Sequence, residues 1–232
     1  MVGTGNSQLQ MIGFLTQERN IDWSRVDAFH LDEYVGLPAN HRSSFRYWIR
    51  HHFVEQVRPR SINYIEGDAA DLPMMIQAYG RQLLAAPIDI AFVGIGENGH
   101  IAFNDPHVAD FKDPVAIKRV ALDEACRRQQ VGEGHFTDVD SVPKEAISVT
   151  CTGLFRADRW ICCVPDLRKA KAIKGSLEGP LTPQCPGSLI NQHPSAALFL
   201  DRESASLLSP EYLAAKCRVH DVAEPSSDLV EA

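Results

Sequence analysis

The 232-residue chain is 44% apolar and 23% charged, the make-up of a soluble globular protein and most simply of one domain. A net charge of −7 and a pI near 5.7 argue against a general nucleic-acid surface but leave room for a local basic pocket. Six cysteines without a C-x-x-C pair point to buried thiols in a reduced, cytoplasmic protein, no apolar run is long enough to span a bilayer, and the start does not read as a signal peptide.

The chain opens Met1-Val2 and turns at once into Gly3-Thr4-Gly5-Asn6-Ser7. Such a turn ordinarily follows a strand, so a truncated first strand is expected. Residues 8–15 read as a helix with Leu9, Ile12 and Leu15 on one face. Residues 27–31 read as a strand, and Ser43 is placed to cap a helix over 44–57. A second amphipathic helix is expected over 71–85 and a buried strand over 88–93. Further strands are expected at 115–122, 146–151, 160–164 and 196–200, with a helix over 167–177. Cys162 and Cys163 fall in one strand and point to opposite faces. Strands alternating with helices give a mostly parallel sheet covered on both faces, spanning residues 1–221 as one domain, with a disordered polar tail over 222–232.

Four stretches carry chemistry. Residues 93–106, V-G-I-G-E-N-G-H-I-A-F-N-D-P, bring an amide (Asn98), an imidazole (His100) and a carboxylate (Asp105) into one glycine-rich turn at a strand end. Ligands of open α/β sheets bind beyond such ends. Residues 29–38, F-H-L-D-E-Y-V-G-L-P, set Asp32 and Glu33 at the end of another strand. A partly desolvated acid there becomes a stronger base; the plainer alternative is a pair of acids capping the next segment. Thr4, Gly5, Asn6 and Ser7 precede a helix, where backbone N–H groups attract anions, although they fit neither the Walker nor the dinucleotide pattern. Arg168 and Lys169 open a helix after a strand and share with Arg127 and Arg128 the alternative of being solvated helix charges. No histidine pair has H-x-x-x-H or H-E-x-x-H spacing and no G-x-S-x-G elbow is present, so neither a required metal nor a serine nucleophile is expected.

Taken together, F-H-L-D-E-Y-V-G-L-P and G-I-G-E-N-G-H-I-A-F-N-D-P, in this order, resemble the glucosamine-6-phosphate deaminase (isomerase) family over nearly the whole chain, through S-L-I-N-Q-H-P at 188–194. The resemblance implies a modified doubly wound, Rossmann-like α/β fold. It implies conversion of glucosamine 6-phosphate and water into fructose 6-phosphate and ammonia, with no metal or organic cofactor. The implied partner is the small-molecule sugar phosphate, with no nucleic acid and no membrane; a homo-oligomer is compatible with it.

By the same resemblance Asp32 stands at the enolisation base and His100 at the ring-opening histidine. Asn98 holds a position that is Asp or Asn among members, and Asp105 one usually held by Glu. Thr4, Gly5, Asn6 and Ser7 replace the phosphate loop, Lys169 matches the phosphate lysine, and Arg127 or Arg128 stands where the phosphate arginine is expected. The chemistry suits these residues. An aldose–ketose shift needs one base reaching two adjacent carbons, and ring opening needs a group that accepts and returns a proton near neutral pH. Asp105 is one methylene shorter than Glu, and Asn98 puts no charge beside His100. The alternatives are a hydrolase of the 6-phosphogluconolactonase type on the same scaffold and a non-catalytic sugar-phosphate sensor.

Overall fold

The computed structural model describes residues 1–218 and 220; the expected disordered tail at 222–232 lies outside the described residues. In chain order the elements are α1 (Asn6–Gln17), β1 (Asp27–Phe29), β2 (Asp32–Tyr34) and α2 (Phe45–Ile49), which runs through a π-helical stretch (Arg50–Val54) into α3 (Glu55–Val57). Then come β3 (Ser61–Asn63), α4 (Leu72–Leu84), β4 (Ile88–Val93), β5 (Ile117–Ala121), α5 (Glu124–Gly132) and β6 (Glu145–Val149). The chain continues through α6 (Cys151–Phe155), β7 (Ala157–Cys163), α7 (Ala170–Glu178), β8 (Ala196–Phe199) and α8 (Pro210–Lys216).

Two sheets divide the strands. In the first, β1 pairs in parallel with β3, and β4 with β7 and β7 with β8 in parallel. The gap between β1 and β4 is filled by Met1 and Val2, Val2 bridging in parallel to both His30 and Phe92. Its N–H donates to Phe29 O at 2.8 Å, the Gly3 N–H donates to Phe92 O at 2.9 Å, and Phe92 N–H donates to Met1 O at 3.0 Å. These two residues therefore hold the central position of a parallel sheet ordered β3, β1, Met1–Val2, β4, β7, β8, and they deliver the Gly3–Ser7 turn to its carboxyl edge.

The second sheet departs from a purely parallel plan. It is antiparallel, in the order β2–β6–β5. The chain leaves β1, passes Leu31, whose carbonyl accepts from Val149 N–H at 3.0 Å, and enters this sheet at Asp32, opposite Ser148. Asp32 is thus the first residue after a change of sheet.

All three residues of β2 are buried. Glu33 has no exposed surface, and its carboxylate sits at the N-terminus of α2. Its carboxylate accepts from Ser44 Oγ at 2.7 Å, Arg46 N–H at 2.8 Å, Tyr34 N–H at 2.9 Å and Phe45 N–H at 3.2 Å. Arg46 Nε stands 3.5 Å from it. Negative charge at a helix N-terminus meets both unpaired N–H groups and the positive end of the dipole. The capping alternative for the acid pair therefore holds for Glu33 and fails for Asp32. Tyr34 packs on Phe45, Phe103 and Phe136 with ring centroids 5.0, 5.2 and 5.4 Å away, and its hydroxyl donates to Gln130 Oε1 at 2.7 Å.

Several boundaries move. The cap of α2 is Ser44, whose Oγ accepts from Tyr47 N–H at 3.4 Å, while Ser43 bonds the His135 carbonyl instead. The inward face of α1 is Gln8 and Ile12, and Leu9 is exposed. Gln8 reaches the Cys163 carbonyl at 3.0 Å, so a buried amide ties α1 to β7 where an apolar contact was expected. Cys162 is buried and Cys163 half-buried, as opposite faces require.

Removing the Glu33 carboxylate leaves the first N–H groups of α2 without their acceptor and takes the charge from Arg46 Nε, whose other guanidinium nitrogens stay on Leu37 O and Asp68. Glu33→Ala is expected to cost about 3 kcal/mol, read as a melting temperature lower by about 10 °C. A loss of less than about 2 °C would show that the cap does not hold β2.

Candidate active site

The carboxyl edge of the parallel sheet opens into a cavity of about 180 Å³. The Gly3–Ser7 turn, Asp32, His100 and Lys169 all line it. The two acid–base candidates, distant in sequence, face one space.

His100 is set by its own turn. The turn folds back on itself, with the Gly96 N–H donating to His100 O at 2.9 Å. A Cβ at Gly96 would stand 2.2 Å from the His100 ring, so only glycine lets the imidazole lie there. Gly99 has φ +84°, a conformation that L side chains resist. Asn104, fully buried, donates to the carbonyls of Ile101 and Val149 at 2.9 Å each, and Phe103 N–H donates to Ser148 Oγ at 3.1 Å. The turn is thereby pinned to β6, the partner of the strand that carries Asp32.

Within it three side chains close a network. His100 Nδ1 lies 2.8 Å from Asn98 Oδ1 and 3.1 Å from Asp105 Oδ1, and Asn98 Nδ2 donates to Asp105 Oδ1 at 2.8 Å. Two oxygen acceptors at Nδ1 assign the imidazole proton to that nitrogen and leave Nε2 as the free acceptor. Asp105 therefore reaches the ring despite its short side chain. Burial alone would raise its pKa, but the hydrogen bonds from His100 and Asn98 outweigh it and hold the carboxyl down at about 2.

Asp32 is in the opposite condition. It is 6% exposed and takes no hydrogen bond from any side chain or N–H among the described residues. Burial, with a smaller contribution from the Glu33 charge, pushes its carboxyl up to about 8.

In the same cavity wall, Gly5 (φ +96°) precedes α1 and opens the 12-residue helix with its N-terminal N–H groups beside the space. Lys169 is 6% exposed, and its Nζ donates to Glu133 Oε1 at 3.2 Å. Gln129 Nε2 donates to the same oxygen at 2.8 Å, and His135 Nε2 lies 3.6 Å from Oε2. Burial would raise Glu133, but His135, Lys169 and Gln129 hold it at about 2.

Two expectations are corrected here. Arg127 does not reach the cavity; its guanidinium donates to the carbonyls of Val139 and Val142, the second at 3.3 Å, because its side of α5 faces that turn. Arg128 is exposed and paired with Glu124 one turn earlier. The arginine at the rim is Arg168, bound to Asp166 at 2.7 Å and near Glu97 at 3.7 Å. Glu133 and His135 were missed as site residues; the buried Lys169 signals that an anion must be near, but nothing in the sequence says which one.

A sequence model of the family described as glucosamine-6-phosphate isomerases/6-phosphogluconolactonase matches residues 3–199. The chain belongs to this family. It is 34% identical over 213 residues to a glucosamine-6-phosphate deaminase of an Arthrobacter species, covering 89% of this chain and 80% of that one. It is 31% identical over 209 residues to the glucosamine-6-phosphate deaminase of Oenococcus oeni, covering 90% and 86%. A solved structure of a monomeric glucosamine-6-phosphate deaminase superposes with TM-score 0.78 at 28% identity, covering 89% of this chain and 86% of that one. A 6-phosphogluconolactonase from Trypanosoma brucei superposes with TM-score 0.66 at 17% identity over 90% and 86% of the chains, and so shows the shared fold. No helix among the described residues is long and apolar enough to cross a membrane.

The Asp32 shift has a sign that stability measurements can read. With its folded pKa near 8 and an unfolded value of about 3.9, the native state keeps a proton that the unfolded chain has lost. Stability then falls as pH rises through that window. Asp32→Asn is expected to match wild type near pH 4 and to melt higher by roughly 10 °C or more above pH 8. Equal melting curves at both ends would place the carboxylate in ordinary solvent.

Proposed function

We propose that this chain is a glucosamine-6-phosphate deaminase, isomerising the amino sugar phosphate and releasing ammonia from one cytoplasmic domain spanning residues 1–221. The observation that carries this reading is the single cavity that Asp32 and His100 share with the N-terminus of α1 and Lys169.

The roles follow from chemistry. His100 Nε2, free to accept, takes the O1 proton of the closed sugar and returns it to O5, while Asn98 and Asp105 orient the ring and stabilise the imidazolium. Asp32 then removes the C2 proton of the open aldose and delivers it to C1. The enolamine becomes a C2 iminium; water adds at C2, and ammonia leaves. A carboxylate with a pKa near the working pH is a better base than a solvated one and still gives the proton back. No hydrogen bond pins Asp32, so it can serve two neighbouring carbons.

The phosphate is assigned to the Thr4, Gly5, Asn6 and Ser7 turn and to Lys169. Backbone N–H groups and the helix dipole favour the dianion there. Six unpaired cysteines support a reducing compartment. The substrate is a small molecule, and the net charge of −7 argues against a general nucleic-acid surface.

Asp32→Asn is expected to bind glucosamine 6-phosphate and to lose turnover by at least about 10²-fold, measured as fructose 6-phosphate and ammonia together. Equal rates would remove Asp32 from the mechanism, and proton release from a sugar lactone phosphate without ammonia release would move the site to the hydrolase reading. Glu133→Gln frees Lys169 from a competing carboxylate. It is expected to lower KM by up to about tenfold, worth about 1.4 kcal/mol, with kcat little changed. A raised KM would mean that Glu133 positions the substrate.

A further inference from the structure

Beside the imidazole lies a side chain that the isomerisation leaves unexplained. Cys126, on the first turn of α5, is buried at 1% exposure and unpaired. A His100 ring nitrogen, an Asp105 carboxylate oxygen and the Cys126 sulfur all lie within 4.8 Å of one another. A second observation points to a missing ligand. Asp105 Oδ2 is sealed from solvent and meets no N–H or O–H donor, the carboxylate's remaining hydrogen bond coming only from the Cys126 thiol, although Oδ1 has two donors. A buried carboxylate oxygen without a donor is costly, and the thiol beside it is only a weak one.

We propose that His100, Asp105 and Cys126 form an inhibitory site for a thiophilic divalent cation, filled by Zn²⁺. The donor set of one imidazole nitrogen, one carboxylate oxygen and one sulfur is a zinc set. The 3.1 Å between His100 Nδ1 and Asp105 Oδ1 is near the roughly 3.3 Å that two ligands at about 2.0–2.1 Å span across a tetrahedral angle. The sulfur has on the order of 1 Å to close. Asn98 Oδ1, 2.8 Å from Nδ1, supplies an oxygen for the fourth position. The route in is the cavity, of which His100 forms part of the wall.

Binding there acts on the chemistry directly. The cation takes Nδ1, the ring proton moves to Nε2, and Nε2 then has no lone pair with which to take up the sugar's O1 proton. The cation must also displace the thiol proton, which burial and the Asp105 charge hold firmly. The site therefore answers to excess free zinc and does not hold a resident ion against chelation.

The inhibition half of this inference rests on the deaminase reading; the spectroscopic half does not. Co²⁺ is added to the full chain and to Cys126→Ala, with Cys126→Ser as a second variant should the first fold poorly. A thiolate-to-cobalt charge-transfer band in the near ultraviolet is expected for wild type and absent in both variants. In parallel, Zn²⁺ is titrated against ammonia release. Cys126→Ala is expected to keep the metal-free rate and to need at least about tenfold more zinc for half-inhibition, and a chelator is expected to restore the wild type fully. Absence of the band in wild type, or equal zinc sensitivity in wild type and variants, overturns the site. If ammonia release is never seen, the cobalt band alone decides the metal site, and the deaminase reading fails separately.

Discussion

The geometry of the site depends on where Glu33 puts its charge. A carboxylate with no exposed surface is tolerated only because the first N–H groups of α2, the Ser44 hydroxyl and Arg46 converge on it. That convergence fixes the crossing from the parallel to the antiparallel sheet. Successive residues of a strand point to opposite sides, so locking Glu33 to α2 turns Asp32 the other way, toward the cavity, with Tyr34 on the same side in its aromatic cluster. The neighbouring acid is the clamp that makes the reactive acid possible. It also adds to the load on it, since the Glu33 charge is the second cause of the raised Asp32 pKa.

Two aspartates separated by one imidazole are driven to opposite ends of the pH scale. Asp105, fully buried, receives hydrogen bonds from His100 and Asn98 and stays ionised to about pH 2. Asp32, almost as buried, receives none and is pushed up to about 8. On the proposed mechanism the same functional group serves as a fixed charge in one place and as a proton carrier in the other, and the difference lies chiefly in the donors each one meets, with the Glu33 charge adding to it. The Asn98 amide matters to this division. It gives a hydrogen bond to Asp105 and accepts at His100 without adding a second negative charge to a closed pocket.

What the sequence revealed and concealed follows the range of the interactions. The strand at 88–93 and the helix at 71–85 are written in local periodicity and stand at the expected positions, although Asp89 and Ile90 of the strand expected to be buried are exposed. Asn98, His100 and Asp105 lie within eight positions, so their meeting needs only a turn. β2 is invisible to alternation because Asp32, Glu33 and Tyr34 are all buried, two of them by polar means. α5 is hidden for the opposite reason: of its nine residues only Cys126 and Gln130 are buried, leaving no apolar face to count. Arg127 was assigned by position along the chain, and the helix phase turned it toward the 139–142 turn. Glu133 meets Lys169 across 36 residues, and no short-range pattern encodes that contact.

That contact also decides how the cavity discriminates. An ammonium that is 6% exposed with nothing opposite it would be expensive to bury, so Glu133 is what lets Lys169 stand ready in the empty state. A ligand gains Lys169 only by displacing a carboxylate already held to it. A neutral hydroxyl makes that exchange at a loss, because it trades a charge-assisted bond for an ordinary one. A phosphate dianion replaces the carboxylate with more charge and meets the N–H groups of α1 in the same step. If phosphate binds at Lys169 as proposed, the pairing weakens every ligand but weakens uncharged sugars most, so that selectivity for a phosphorylated substrate comes at the expense of raw affinity.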